Sequence, residues 1–271
     1  GIVESEALEA AITDDTALVS IMHANNEIGT IQPLAALAEI AHRHGALFHT
    51  DAVQSVGKLN IAVADLDIDL LSLSAHKFYG PKGIGALWIR RGSRLVSTST
   101  GGKQERNRRA GTENVPGIAG LGIASRLALQ NTASDAEHIS TLRDKLETKI
   151  LQTVPGTIVN GDPSKRISNT TNISFDRVEA ESLLIALDLE GVAVSTGSAC
   201  SSGTLEPSHV LRAMGFAAHR SQNSIRFSLG SDNTSEEIDR VIDILPKLVQ
   251  KLRNVSRASI SPKQQTVTVG K

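Results

Sequence analysis

The sequence has very little cysteine, few aromatic residues and no long apolar run. Its 271 residues include a single cysteine, Cys200, and only 3% are aromatic. One cysteine cannot form an internal disulfide and fits a reducing compartment, for which we predict the cytoplasm. No apolar segment of the sequence reaches the roughly 20 residues that a membrane span requires, so we expect no membrane association.

An excess of charge of either sign is also lacking. The chain has 28 Lys and Arg against 29 Asp and Glu, a net charge of −1. This balance gives no reason to expect binding to nucleic acid or to a charged membrane surface. With 40% apolar and 21% charged residues, the composition is that of a globular protein. The length allows one large domain or two ordinary ones.

The most informative stretch covers residues 49–85 and follows two short apolar runs, at residues 46–48 and 70–73. Each run has the composition of a buried strand and ends in polar residues. In an open α/β sheet, ligands bind beyond the carboxyl ends of the strands. The two runs therefore deliver to one edge the side chains of Asp51, Gln54, Ser74, His76 and Lys77.

These residue types match the requirements of pyridoxal 5'-phosphate, which needs a lysine for a Schiff base and an aspartate facing its pyridine nitrogen. In this interpretation Lys77 forms the Schiff base and Asp51 faces the nitrogen. Gln54 would bond the ring hydroxyl, and Ser74 and His76 would bind phosphate oxygens. The alternative is a surface lysine and a capping aspartate after buried strands. That alternative suits each residue alone but fits the combination poorly.

The segments DAVQ (51–54) and SAHKFYGPKG (74–83) resemble those of the cysteine desulfurases of the NifS/IscS kind, which are fold-type I pyridoxal-phosphate enzymes. The resemblance covers Gly1 to about Val241. It implies an α/β fold, with a mostly parallel sheet in a large domain and a smaller α/β C-terminal domain. The family has a longer N-terminal part that holds a phosphate loop and a ring-stacking histidine. We therefore expect the chain to be a fragment or one piece of a nicked protein.

Three further residues receive roles from this resemblance. In HANNEIG, the counterpart of Asn26 bonds the ring hydroxyl and the substrate carboxylate. In GGKQERNRRAGT, the counterpart of Thr112 donates to the cofactor phosphate of the neighbouring subunit, which implies a homodimer; Lys103 stands where a third glycine is common. In SIRFSLG, Arg226 matches the anchor of the substrate carboxylate. Composition alone would make these a turn, a solvated loop and an exposed strand face.

The single cysteine lies in a run of small polar residues. Because its neighbours are not apolar, an exposed loop is a better interpretation than burial as a small hydrophobic side chain. The run STGSACSSGTLEPSHVL (195–211) resembles the persulfide loop of the desulfurases, with Thr196 in place of a frequent serine. The resemblance makes Cys200 the nucleophile that accepts sulfur.

The resulting hypothesis is a homodimeric enzyme that converts L-cysteine to L-alanine and leaves a persulfide on Cys200. Lys77 would hold the cofactor and move the α-proton. A sulfur-acceptor or iron–sulfur scaffold protein would then receive the sulfur. A selenocysteine lyase is the alternative among enzymes, and the long cysteine loop favours the desulfurase. A non-catalytic scaffold that kept the fold is the alternative outside enzymology, and the presence of both Lys77 and Cys200 argues against it.

Hydrophobic periodicity predicts the remaining elements. A helix over 33–44 between two strands indicates one crossover unit of a parallel sheet. The two histidines in the last turn of this helix have no third ligand nearby, so we expect no metal site there. Further helices are predicted over 115–130, 135–154, 179–190 and 235–253, and strands over 171–175, 192–195 and 224–229. We place the domain boundary near residue 125. Residues 1–125 then form the cofactor-binding domain, 126–253 the small domain and 254–271 a disordered tail.

Overall fold

The structure is a computed structural model that describes residues 1–197 and 207–260, with side chains described through Val255. The strands are β1 (Leu18–Ser20), β2 (Leu47–Asp51), β3 (Leu70–Ser74), β4 (Gly85–Ile89), β5 (Thr157–Asn160), β6 (Thr170–Phe175), β7 (Ser195–Thr196) and β8 (Ser224–Ser228). The helices are α1 (Ser5–Ala11), α2 (Leu34–Arg43), α3 (Gln104–Asn107), α4 (Val115–Thr153), α5 (Ala180–Leu189), α6 (His209–Ala213), α7 (Ala218–Gln222) and α8 (Ser235–Ile260), and a 3₁₀ helix spans Ala75–Phe78.

The chain forms two compact units. The first unit contains Gly1–Ser140 and Gly161–Asn169, and the second contains Thr141–Asn160 and Thr170–Lys271. The boundary was predicted near residue 125, whereas the first unit extends to Ser140. Both positions lie within the single helix α4. A helix gives no local sign of where its packing partners change, which is why the sequence located the division poorly.

The first unit is built on the sheet β1-β2-β3-β4, in which the first three strands are parallel and β4 is antiparallel. The helix predicted between β1 and β2 is confirmed as α2, which begins after Pro33 and ends before Gly45. Its residues Leu37 and Ala38 are fully buried against the sheet. The core also contains Phe48, with no exposed surface. Burying side chains of this size supplies roughly 1.5–3 kcal/mol each.

The two faces of this sheet differ in polarity. Along β2, Phe48 and Thr50 are buried on one face, while His49 is half-buried and Asp51 exposed on the other. Successive side chains of a strand point to opposite faces, so this alternation assigns the apolar set to the core. The polar face is the one that carries the candidate site.

The second unit contains the antiparallel sheet β5-β6-β8-β7. The strand predicted over 224–229 is confirmed as β8, with Ile225 and Phe227 buried on one face. Arg226 lies between them on the opposite face, as the alternation predicted. The register aligns it directly with Asn172 of β6 and with Ser195 of β7.

The same face of the second sheet holds a buried hydrogen-bond network around Asn160. Its side-chain amide donates to Asn172 Oδ1 at 2.7 Å, Ser174 Oγ at 2.9 Å and Ser224 Oγ at 3.1 Å. The guanidinium of Arg220 donates to Asn160 Oδ1 at 2.9 Å. Asn160 is 1% exposed, so these bonds replace water that cannot reach it.

Three predicted boundaries were wrong. The helices predicted over 115–130 and 135–154 are one helix, α4. The polar residues between the two predicted helices do not interrupt it: the hydroxyl of Thr132, for example, donates to the carbonyl of Ala128 at 2.6 Å within the helix. The helix predicted to end at Arg253 continues to Ile260, so the expected disorder does not begin at residue 254. The strand predicted over 192–195 is β7, Ser195–Thr196. Residues 261–271 lie outside the described part of the chain.

Across the described helices, none is long and apolar enough to cross a membrane.

Replacing Asn160 by Ala should lower the free energy of unfolding by about 2–3 kcal/mol, because buried hydroxyl, amide and guanidinium groups each lose one of their hydrogen bonds. Urea unfolding followed by circular dichroism measures the change. Asn254→Ala, at an exposed position, is the matched control and should change stability by less than about 0.5 kcal/mol. Equal losses in the two variants would contradict a structural role for the network.

Candidate active site

The parallel pairing of β1, β2 and β3 brings three strand ends to one edge of the first sheet. The backbone N–H of His23, after β1, donates to the carbonyl of Asp51 at the end of β2, at 2.9 Å. Ala52 N–H donates to Ser72 O of β3, also at 2.9 Å. The segments predicted to form the site are therefore adjacent in the structure, while the role of each side chain remains a prediction.

Asp51 is the last residue of β2 and is exposed. One of its carboxylate oxygens accepts a bond from Val53 N–H at 2.9 Å, which fixes the side chain over the turn that follows. Ser55 N–H and Val56 N–H both bond to the carbonyl of Ala52, at 3.0 Å each. These tight turns hold Gln54, which is half-buried, immediately beside the strand end.

Lys77 lies in the 3₁₀ helix that follows β3 directly. Ala75 and Phe78 are buried and anchor this helix, whereas His76 and Lys77 are exposed. Ser74 Oγ and His76 Nδ1 are 2.8 Å apart. Within the described residues, Lys77 forms no ion pair or hydrogen bond, so its amine is not committed to another group.

Gly57 allows the turn after β2 to pack against the helix that carries Lys77. A Cβ at this position would lie 2.5 Å from Cβ of Phe78, and φ of Gly57 is +77°, in the left-handed region. Only glycine meets both conditions without strain. The close packing holds the Asp51 turn and the Lys77 helix side by side.

Lys58 is a site residue that the sequence analysis missed. Its Nζ donates to the carbonyl of Gln54 at 3.1 Å. Burial and, to a smaller extent, the nearby positive charge of Lys77 together lower the pKa of Lys58 to about 8. A lysine after a glycine gives no sign of burial in the sequence, so no pattern could have identified it.

Two histidines at this edge had no predicted role in binding or catalysis. His49 lies between Ser20 Oγ, 2.7 Å from Nδ1, and Ser72 Oγ, 2.9 Å from Nε2. Burial lowers the pKa of His49, and the charge of Asp51 opposes this in part. His23 is 7% exposed, and burial lowers the pKa of its imidazole as well. Both imidazoles therefore favour the neutral form at pH 7.

The loop after β1 contains Asn25 and Asn26, of which Asn26 is a predicted site residue. The side chain of Asn25 accepts bonds from Glu27 N–H at 2.8 Å and Ile28 N–H at 3.0 Å, so this residue shapes the turn. Asn26 is half-buried in the same loop. Its predicted bonds to the cofactor and substrate are not tested by this geometry and stay predictions.

The other predicted site residues lie elsewhere in the chain. Thr112 is exposed in the loop before α4, and the neighbouring Gly111 N–H donates to Gln104 Oε1 at 3.1 Å. Arg226 lies on β8 of the second unit. Cys200 lies outside the described residues.

The first 241 residues match a family model described as aminotransferase class-V. The chain belongs to this family. It is 52% identical to the cysteine desulfurase IscS of Methanosarcina thermophila over 264 residues. This alignment covers 97% of this chain and 65% of that protein. The chain therefore spans just under two thirds of the length of this curated relative.

Solved structures give the same relationship. A NifS-like protein superposes with a TM-score of 0.84 at 38% identity, covering 93% of this chain and 66% of that one. A structure described as SspA in complex with cysteine superposes with a TM-score of 0.69 at 35% identity, covering 86% and 64%. The fold is that of the fold-type I enzymes, and the resemblance to the NifS/IscS desulfurases is confirmed.

Members of this family use pyridoxal 5'-phosphate, and the residues at the sheet edge fit that group. An uncommitted amine, that of Lys77, is available to a cofactor aldehyde. Asp51 has an exposed carboxylate at the same edge, of the kind that a protonated ring nitrogen requires. The Ser74–His76 pair supplies hydroxyl and imidazole groups that can bind phosphate oxygens.

The lowered pKa of Lys58 predicts how stability depends on pH. Between about 8 and the usual value of 10.5, the unfolded chain binds a proton at Lys58 that the folded chain does not. Stability should therefore rise with pH across this window, by roughly 1–3 kcal/mol, and Lys58→Met should remove the rise. Urea unfolding at several pH values measures it.

Lys247→Met is the control for this experiment, since Lys247 is exposed on α8. Its profile should follow that of the wild type. Parallel profiles for the wild type and Lys58→Met would show that Lys58 is not desolvated in the folded protein.

Proposed function

We propose that the protein is a pyridoxal-phosphate-dependent cysteine desulfurase, which removes sulfur from L-cysteine and leaves L-alanine and an enzyme persulfide. The observation that carries this proposal is the uncommitted amine of Lys77 beside the Asp51 strand end, in a chain 52% identical to a cysteine desulfurase. A related structure that contains cysteine supports the choice of substrate.

Lys77, Asp51, Gln54, Ser74 and His76 would hold the cofactor. When bound, the cofactor supplies an electron sink for charge that develops at the α-carbon of the amino acid. Asp51 would favour protonation of the ring nitrogen, because a nearby carboxylate favours the charged form of a base. Ser74 and His76 are already 2.8 Å apart, so little rearrangement is needed to present both to one phosphate.

Lys77 would have two tasks in turnover. Its amine would hold the cofactor between turnovers. As a free base during turnover, the same amine would remove the α-proton of the substrate and later return a proton during the formation of alanine. Lys77 is exposed near the end of a short helix, which gives its side chain the freedom to move between these two tasks.

Arg226 and Asn26 would orient the substrate through its carboxylate. A guanidinium binds a carboxylate through two parallel hydrogen bonds, which fixes orientation as well as position. Arg226 is held between two buried apolar residues of β8, so its backbone cannot shift without disturbing the core. This restraint suits a residue that has to present one fixed geometry.

Cys200 would receive the sulfur. Its thiolate attacks the substrate sulfur, the S–S bond forms as the C–S bond of the substrate breaks, and the electron pair stays with the carbon that becomes the methyl group of alanine. The thiolate is the reactive form, and a free thiol with a pKa near 8.5 is partly ionised near neutral pH. The persulfide then passes to an acceptor or iron–sulfur scaffold protein.

The remaining parts of the proposal concern assembly and location. Thr112 would bind the cofactor phosphate of a second subunit, which makes the protein a homodimer with shared sites. A single cysteine, which cannot form an internal disulfide, fits reducing surroundings, so we place the protein in the cytoplasm. These surroundings also suit the delivery of sulfur to iron–sulfur clusters.

Borohydride treatment of the cofactor-loaded protein should attach the cofactor covalently to Lys77. Peptide mapping by mass spectrometry identifies the labelled residue. Lys77→Ala should lose the label and reduce alanine release by several orders of magnitude. Lys82→Ala, a nearby lysine in the glycine-rich turn, is the control and should keep the label. Labelling at Lys58 or Lys82 in the wild type would overturn the assignment.

Cys200→Ser keeps the size and polarity of the side chain but removes the nucleophile. The variant should still bind the cofactor and L-cysteine, yet release alanine at a rate near background. Alanine is measured by chromatography and the persulfide by alkylation and mass spectrometry. Ser202→Ala, two residues away, is the control and should keep its activity. Alanine release at the wild-type rate from Cys200→Ser would favour a lyase that releases free sulfide or selenide.

A further inference from the structure

An imidazole connects the three parallel strands on the same face as Asp51. His49 of β2 is 2.7 Å from Ser20 Oγ of β1 through Nδ1 and 2.9 Å from Ser72 Oγ of β3 through Nε2. Ser20 is the last residue of β1, and Ser72 lies two residues before the end of β3. The three side chains form a continuous hydrogen-bonded chain just behind the strand ends.

This chain lies next to the carboxylate that we assign to the cofactor nitrogen. His49 and Asp51 are two residues apart on one strand and point to the same face, while Phe48 and Thr50 point into the core. Asp51 also lies directly opposite Ser72 in the register of β2 and β3. Burial lowers the pKa of His49, and the charge of Asp51 opposes this larger effect in part.

The hydrogen bonds of His49 suit an uncharged ring. A neutral imidazole has one N–H donor and one acceptor nitrogen, and a serine hydroxyl can serve either. One serine therefore donates and the other accepts, so both nitrogens are satisfied without a net charge. A charged imidazole would instead attract the carboxylate of Asp51 and compete with a protonated ring nitrogen for it.

We propose that His49, held by Ser20 and Ser72, is a positioning residue that keeps a rigid, uncharged neighbour beside Asp51 and so reserves this carboxylate for the cofactor nitrogen. The inference rests on the proposed function, because it takes Asp51 as the partner of that nitrogen. His49 acts through Asp51 and need not touch the reacting atoms.

Other titratable groups also face this region and have to be separated from His49. They are His23 after β1, Lys58 after β2, and His76 and Lys77 after β3. Each of them, and the cofactor itself, contributes to any pH dependence of binding. Only a comparison between variants at His49 isolates its share.

The experiment measures the dissociation constant of pyridoxal 5'-phosphate and the absorption of the bound cofactor, between pH 5 and 8, for the purified protein. In the wild type, protonation of His49 at acidic pH should weaken binding. We call the weakening of cofactor binding between pH 8 and pH 5 the acid-side loss. His49→Gln keeps hydrogen-bonding groups but cannot gain a charge, so its acid-side loss should be about tenfold smaller than that of the wild type. A tenfold change in affinity corresponds to one pKa unit of coupling. His44→Gln, on the exposed end of α2, is the control and should keep the wild-type profile.

A second variant covers the case in which His49→Gln fails to fold. Ser72→Ala removes one hydroxyl partner and leaves the ring in place. Solvent would then reach His49 more easily and favour its charged form, so the acid-side loss should move to higher pH. An acid-side profile identical to the wild type in the folded variants would overturn the inference.

Asp51→Asn separates this inference from the proposed function. If Asp51→Asn leaves cofactor binding and absorption unchanged, the proposed role of Asp51 fails. If Asp51→Asn disrupts both while His49→Gln keeps the wild-type acid-side loss, the role of His49 fails and the proposed function stands. If the effect of His49→Gln disappears in the Asp51→Asn background, the two residues are coupled as proposed.

Discussion

The parallel pairing of β1, β2 and β3 is the constraint on which the candidate site depends. It brings three strand ends to one edge, and its register places Asp51 opposite Ser72. A slip of one residue along β2 would turn His49 and Asp51 into the core and Phe48 out to solvent. The buried face therefore fixes the candidate site indirectly, because the free-energy cost of exposing Phe48 keeps Asp51 on the opposite, polar face.

The sequence predicted those features whose signals are local. The helix α2 has apolar residues at helical spacing between a proline and a glycine, and β8 alternates strictly around Arg226. The strand ends at Asp51 and Ser74 follow apolar runs that stop abruptly at polar residues. In each case a few neighbouring residues contain the whole signal, so the pattern could be interpreted without knowledge of the fold.

The sequence failed where the outcome depends on tertiary contacts. Nothing near Lys58 marks it as buried, and its lowered pKa arises from packing and from Lys77. The bridge made by His49 needs the pairing of three strands before either serine is near it. The short strand β5 was missed altogether, because its burial comes from pairing with β6 and from the network around Asn160.

Packing influences the charge of the imidazole beside Asp51. Burial lowers the pKa of His49, and the charge of Asp51 opposes this in part. A carboxylate beside a cation would be partly compensated before any ligand arrived, and its charge would add less to the binding of a protonated ring nitrogen. Desolvating His49 leaves Asp51 with its charge less compensated. The apolar packing of the first unit thus affects the chemistry of the edge as well as its shape, because the same burial that stabilises the fold reduces the competing positive charge.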